Sequence, residues 1–416
     1  MDVALDLDRK KNPVGLPRPE EGAPTAVVRA EGSGPVAVPL LGSEAREPLD
    51  PNGFSASYAL ARERLLAAAY AYGARVHSEY IDAKGPDGET LAIDFVGVGP
   101  RDASRLVLVS SGTHGVEGFL GSAVQTRWLE GLASGRASLP DGVAVLFIHA
   151  VNPYGFAWQR RVNEDNIDLN RNFVQPHERY EGKPPKFEQV TKLLDPTRPP
   201  RRAERLPYVR MGGTILRHGF RPLKQALVTG QYEHPDTLFF GGKGPSASMR
   251  ILSRVLPALA GHPERVAHID IHSGLGPRGE FTLLLEPIYS KSRLEHLHSF
   301  FPGRRLEGAA GDDFEVTYSI RGGFLAWCAA TLFSETDYRP MTAECGTQSN
   351  FRVLEALYLE HLAHSYGQPG TCEYERAKER ILEAFAPSDP AWRKRASDEG
   401  IWLIDQAVSM TSADSP

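Results

Sequence analysis

The segment Ser111-Gly112-Thr113-His114-Gly115-Val116-Glu117-Gly118 sets an imidazole and a carboxylate three residues apart. One helical turn brings such a pair to a single point, where it can share a proton or a cation. It is the only H-x-x-E in the chain, and with 13 histidines present chance supplies about one such pair, so its weight depends on its surroundings. His272, in His268-Ile-Asp270-Ile-His272-Ser273-Gly274, ends an apolar run of strand character. Alone it reads as a strand-end histidine. Taken with His114 and Glu117 it makes two histidines and one glutamate with a fourth position open, a known set for catalytic zinc.

A third group follows another apolar run: Asn152-Pro153-Tyr154-Gly155-Phe156, then Arg160-Arg161-Val162-Asn163, then Asp168-Leu169-Asn170-Arg171-Asn172-Phe173. It reads either as an irregular solvated loop whose charges pair, or as a carboxylate clamp, for which the planar guanidinium fork is suited. Gly274-x-Gly276-x-x-Gly279 mimics a dinucleotide fingerprint, but it runs into the strand-like EFTLLLEP and not into a helix, so it is read as a decoy. The chain has no G-x-S-x-G nucleophile elbow.

In this order, H-x-x-E, N-P-x-G-F, R-x-N, D-L-N-R-N-F and D-I-H-S resemble the zinc carboxypeptidase (metallocarboxypeptidase) family. They look most like a little-studied bacterial branch filed as a domain of unknown function, over roughly Leu91 to His364. The resemblance implies two downstream features. One is a tyrosine followed by a Gly-Gly pair and a tryptophan, matched by Tyr318, Gly322-Gly323 and Trp327; the other is a glutamate in a T-x-E context, matched by Glu344.

Roles carried over by matching position are as follows. The resemblance makes His114, Glu117 and His272 the ligands of one zinc ion, and Glu344 the general base. Arg161 becomes the group that polarises the scissile carbonyl, with Arg160 as fallback. Asn170, Arg171 and Tyr318 become the clamp on a free α-carboxylate, Leu325 the base of the side-chain pocket, and Asp168 the partner that orients His114.

The implied activity is a zinc-dependent amide hydrolase of carboxypeptidase type, releasing a C-terminal amino acid from a peptide or peptide-like metabolite. An apolar Leu325 points to a non-basic side chain. The first alternative is an N-acyl amino acid deacylase resembling aspartoacylase or succinylglutamate desuccinylase. The second is a catalytically idle binding module. The sequence departs from the family at Gly274, where many members have tyrosine two residues after the histidine ligand, and in a long insertion over 174–244.

Elements that must position these groups can be read from apolar patterning. Strands are expected over 75–82, 91–98, 106–110, 143–150, 266–271, 282–286 and 342–344. Helices are expected over 55–72, 122–133, 248–259, 323–332 and 351–364. Alternating strands and helices predict a single large α/β domain with a mixed, mostly parallel sheet covered on both faces, zinc-carboxypeptidase-like in kind. The expected limits are a Pro-rich N-terminal arm (1–52), the catalytic domain (53–390) and a C-terminal tail (391–416). The basic, Pro-rich insertion is expected to carry one or two short helices, as a surface excursion or as a lid.

Composition sets the outer limits. With 47 Lys+Arg against 52 Asp+Glu, the net charge of -5 argues against nucleic acid as a partner. The absence of a long apolar run argues against a membrane span. Three cysteines with no C-x-x-C, and no signal-like apolar region near Met1, make a cytoplasmic protein acting on a small-molecule substrate the expectation.

Overall fold

The runs 106–109 and 143–148 show no polar–apolar alternation, which strands covered on both faces do not need. Both are central strands in the computed structural model. It describes residues 25–30, 33–39, 50–194, 198–202, 204–205, 208–286, 289, 291–308 and 320–413. Its strands are β1 (Thr25–Ala30), β2 (Ser33–Pro39), β3 (Arg75–Lys84), β4 (Thr90–Val98), β5 (Arg105–Ser111), β6 (Val143–His149), β7 (Arg265–Arg278), β8 (Phe281–Leu285), β9 (Arg305–Glu307) and β10 (Asp337–Gly346). The helices are α1 (Tyr58–Tyr72), α2 (Gly118–Ala133), α3 (Pro153–Ala157), α4 (Phe187–Leu194), α5 (Tyr208–His218), α6 (Phe220–Val228), α7 (Ala247–Ala260), α8 (Lys291–Phe300), α9 (Phe324–Thr331), α10 (Asn350–Tyr366), α11 (Cys372–Phe385) and α12 (Pro390–Ser412).

Met1–Pro48 and Leu49–Pro416 are separate compact units. In the first, β1 and β2 pair antiparallel, with Thr25 opposite Pro39. The expected arm therefore contains a hairpin, and the rest of 1–49 lies outside the described residues.

Among the described residues of the second unit, eight strands form one sheet in the order β3-β4-β6-β5-β7-β10-β8-β9. The four central strands, β6, β5, β7 and β10, are parallel. β4 runs antiparallel beside β6, and β8 antiparallel beside β10. The chain leaves β5 through α2 to reach β6, then returns past β5 through α7 to reach β7. Right-handed crossovers in opposite directions put α2 and α7 on opposite faces, and the crevice at the carboxyl ends of β5 and β7 is the topological switch point.

One expected boundary and one expected helix count are corrected. Residues 391–412 are not a tail: they continue α12, whose Trp392, Ala396, Gly400, Leu403, Ile404 and Ala407 are buried. Trp128 of α2 donates to Asp405 at 2.9 Å, and Arg127 pairs with Asp398 at 2.8 Å, so α12 is moored to α2. The charged run RKRASDE hides this apolar stripe in the sequence. Among the described residues of 174–244, three short helices form (α4, α5 and α6) where one or two were expected.

The decoy glycines also acquire a role. β7 continues through them to Arg278, and its register with β10 jumps between Cys345 (opposite Ser273) and Gly346 (opposite Arg278). Gly274 adopts φ +137°, a conformation side-chain-bearing residues rarely take, and Gly279 at φ +71° turns the chain into β8.

Candidate active site

His114 leaves the end of β5, and Gly115–Glu117 form a single 3-10 turn directly before α2. That turn is docked through its backbone: Gly115 N–H donates to the Arg161 carbonyl at 3.2 Å and Val116 N–H to that of Arg160 at 2.8 Å. Gly115 permits the contact, since a Cβ there would lie 2.0 Å from the Gly155 carbonyl carbon. The Asn152 side chain caps α3 by accepting from Gly155 N–H at 2.8 Å, and it donates to the Arg161 carbonyl at 3.2 Å. The H-x-x-E turn and the Asn/Arg loop are thus one backbone unit.

His114, Glu117 and His272 converge, with donor atoms all within 4.8 Å of one another. Nδ1 of His114 lies 2.9 Å from one Glu117 oxygen, and Nδ1 of His272 lies 2.8 Å from the other. The two Nδ1 atoms are 3.2 Å apart. Each ring turns its remote nitrogen to a buried carboxylate. His272 Nε2 is 2.7 Å from Asp270; His114 Nε2 is 3.3 Å from Asp168, close enough for an ion contact although not aligned as a hydrogen bond. A carboxylate on Nε2 places the proton there and aims the Nδ1 lone pair at the shared point. Two such lone pairs and a carboxylate meeting at one point suit a cation.

The electrostatics agree. Burial works to raise Glu117 and Asp168, but the histidines around Glu117 and the Arg161, Arg171 and His114 charges around Asp168 outweigh it, holding both below their ordinary values. Burial works to lower His272, yet Asp270 and Glu117 push it well above the usual imidazole range. A field that favours a proton there also favours a divalent ion.

Glu344 stands beside this trio. It lies directly across the β7–β10 ladder from His272, is 9% exposed, and accepts from Leu275 N–H at 2.9 Å. The bulge at Gly274 turns that N–H toward it. Burial first, then the negative charge of Glu117, push its carboxyl up to about 7. A carboxylate poised there can both take and return a proton near neutrality.

These groups open onto a cavity of about 240 Å³. His114, Glu117, Arg161 and Glu344 line its polar end. Ser273 and Asn350 are the other polar side chains of the wall, and most of the rest is apolar, including Val190, Ile215, Leu223, Leu227 and Phe239 of the insertion, Leu354 and Leu357 of α10, and Phe385 of α11.

The family model described as a protein of unknown function (DUF2817) matches residues 54–399. The chain belongs to that family. No curated protein matches it. Among solved structures, this DUF2817 chain is similar to carboxypeptidase A from Helicoverpa armigera at 14% identity and a TM-score of 0.47, over 80% of this chain and 75% of that one. It is similar to the murein-tripeptide amidase MpaA from Escherichia coli O157 at 19% identity and a TM-score of 0.33, over 71% and 93% of the two chains. Succinylglutamate desuccinylase from Chromobacterium violaceum matches at 15% identity and a TM-score of 0.36, over 78% and 74%.

Not every expected residue of this DUF2817 protein reaches the cavity. Arg161 does: its Nε holds Asp168 at 2.9 Å, and its Nη1 lies 3.6 Å from Glu117. Its fallback Arg160 points elsewhere, into a buried cluster with Glu360 at 2.9 Å. Arg171 does not line the cavity. It is 1% exposed, with Nε donating to the Val228 carbonyl at 2.8 Å and Nη1 to that of Asn170 at 2.7 Å. Asn170 accepts from Phe324 N–H at 3.0 Å. Leu325 is buried in α9, away from the cavity wall, and Tyr318 lies outside the described residues. Asn170 and Arg171 therefore bind backbone: the insertion brings the Val228 carbonyl onto Arg171, and the start of α9 brings the Phe324 N–H onto Asn170.

Two features of the site are not assigned by the motifs. Asp270 is the counterpart of Asp168, held by Ser110 at 2.6 Å and by Thr113 at 3.1 Å. Its signal was the D-x-H spacing, since residues i and i+2 of a strand share a face. The apolar roof from the insertion carries no local signature.

No helix among the described residues is long and apolar enough to cross a membrane.

Proposed function

We propose that this protein is a divalent-metal-dependent amide hydrolase, with zinc as the metal that its two-imidazole, one-carboxylate donor set best suits. The observation that carries the reading is the convergence of His114, Glu117 and His272 with Glu344 in register beside them. A bound zinc ion would supply Lewis acidity toward water and a carbonyl oxygen. Glu344 removes a proton from the attacking water and returns it to the nitrogen of the departing amine. Arg161, steadied by Asp168, offers N–H donors to the carbonyl oxygen as negative charge develops on it. The apolar walls exclude bulk water, which strengthens these interactions.

Two substrate types fit this chemistry: a peptide releasing its C-terminal amino acid, and an N-acyl amino acid releasing its acid. Both carry a free α-carboxylate on the departing amine, so the engagement of Arg171 by backbone carbonyls, away from the cavity, does not choose between them. Metal analysis, with hydrolysis of blocked dipeptides and N-acyl amino acids measured side by side, tests the reading. About one zinc per chain with amide hydrolysis supports it. A metal-free protein, or a metal-loaded one inert across both panels, overturns it and favours the idle binding module.

A further inference from the structure

The ionisable groups His114, Glu117, Arg161 and Glu344 gather at one end of the cavity, and most of the remaining wall, Ser273 and Asn350 apart, is hydrocarbon. Each helix of the 174–244 insertion contributes to the apolar end: Val190 from α4, Ile215 from α5, Leu223 and Leu227 from α6. Leu354 and Leu357 of α10 line it too. At about 240 Å³ it far exceeds the roughly 10–15 Å³ that one water needs, so it is ligand-sized and not a packing defect. Large pockets lined by hydrocarbon with a few converging polar groups are the usual form of a small-molecule site.

We propose that this apolar end is an acyl-chain chamber, and that the substrate is an amide whose acyl group is a medium-length aliphatic chain. The inference rests on the amide-hydrolase reading and specifies its substrate. An acyl chain brings hydrocarbon alone into the apolar end and leaves its carbonyl beside Arg161 and Glu344. A peptide's C-terminal residue seated there would carry its carboxylate into the hydrocarbon, whereas an N-acyl amino acid keeps that carboxylate on the departing amine, outside the apolar end. Among the described residues lining the cavity, Arg161 is the only lysine or arginine, and it is paired with Asp168. The insertion thus acts as a specificity element, because it supplies six of the twelve apolar side chains that line the cavity.

The test uses the full zinc-loaded chain and a series of N-acylglycines from acetyl through butyryl, hexanoyl and octanoyl to decanoyl. Burial of each added methylene should raise kcat/KM roughly three- to fourfold until the chamber is full. Leu227→Trp, which fills the chamber, should flatten that gradient, lowering the octanoyl-to-acetyl ratio at least about tenfold. Calorimetric titration with octanoate gives a readout independent of turnover: binding to wild type and its loss in Leu227→Trp are expected, with circular dichroism confirming that the variant is folded. Hydrolysis with no chain-length gradient, or with preference for acetyl, overturns the chamber and leaves the hydrolase reading standing. Octanoate binding lost in the folded variant, but without hydrolysis of any amide, supports the chamber and overturns the hydrolase reading. Absence of both overturns both.

Discussion

Glu344 and His272 are direct partners in the parallel β7–β10 ladder. Their side chains share a face of the sheet, so the carboxylate proposed as base and one proposed ligand are placed by a single backbone register. A slip of one residue would send Glu344 to the opposite face.

Removing the charge of that carboxylate should separate binding from chemistry. Glu344→Gln is expected to lower kcat about 10²- to 10⁴-fold while zinc content stays at the wild-type level. Elemental analysis and turnover on the same sample decide it. Undiminished activity in Glu344→Gln would remove the proposed base from the mechanism.

The two buried aspartates should tune the site unequally. Asp270→Asn and Asp168→Asn should each weaken zinc affinity about 10- to 100-fold, since each loses the anion behind a ligand imidazole. Asp168 also holds Arg161 at 2.9 Å, so its variant should show a further fall in kcat when saturated with metal. Chelator competition and kinetics at saturating zinc distinguish the two. Equal kcat for both variants would detach Arg161 from the chemistry.

A buried ion cluster behind the site predicts an acid-sensitive fold. Glu360 accepts from Arg160 at 2.9 Å and from Lys378 at 2.7 Å. Burial raises its carboxyl, but the Arg160 and Lys378 charges outweigh burial and bring it from 4.5 down to about 2. Because the folded value is depressed, the stabilisation is present above pH 4.5 and is lost as pH falls through about 2; it is on the order of 3 kcal/mol. Glu360→Gln should cost about 3–5 kcal/mol near neutrality, because two buried cations lose their counter-ion. Urea unfolding should also show a weaker dependence on acid pH in the variant. Equal pH dependence in both proteins would contradict the assignment.

Gly115 offers a purely steric test. With a Cβ that would lie 2.0 Å from Gly155 backbone, Gly115→Ala must push the 3-10 turn off the Arg160–Arg161 strand of loop. A loss of at least about 1–3 kcal/mol is expected, as for an overpacked core, together with weakened zinc binding. Gly212→Ala is the control: it lies in α5 with nothing within 4 Å of its added carbon and should gain up to about 1 kcal/mol. Normal stability and zinc affinity in Gly115→Ala would mean that the turn is not held where the structure places it.

By itself the sequence determined the inventory and the local structure. The apolar runs 106–110 and 143–150 announced buried strands, and H-x-x-E, D-I-H and T-x-E marked three strand ends or turns that carry chemistry. These are short-range signals, since strand and helix periods are set by a few neighbouring residues. The charged stripe of α12 misled because periodicity weighs residues locally, whereas burial depends on what packs against them.

Tertiary structure alone decided the rest. It chose Arg161 over Arg160 for the cavity, because the 3-10 turn docks on that loop backbone and directs Arg160 to Glu360. It directed Arg171 to the Val228 carbonyl and away from the cavity, converted the decoy glycines into the bulge that supports Glu344, and folded the insertion into a roof. Each depends on segments far apart in the chain meeting at a fixed distance. An apolar face announces that something must cover it, but only the packed chain specifies what does.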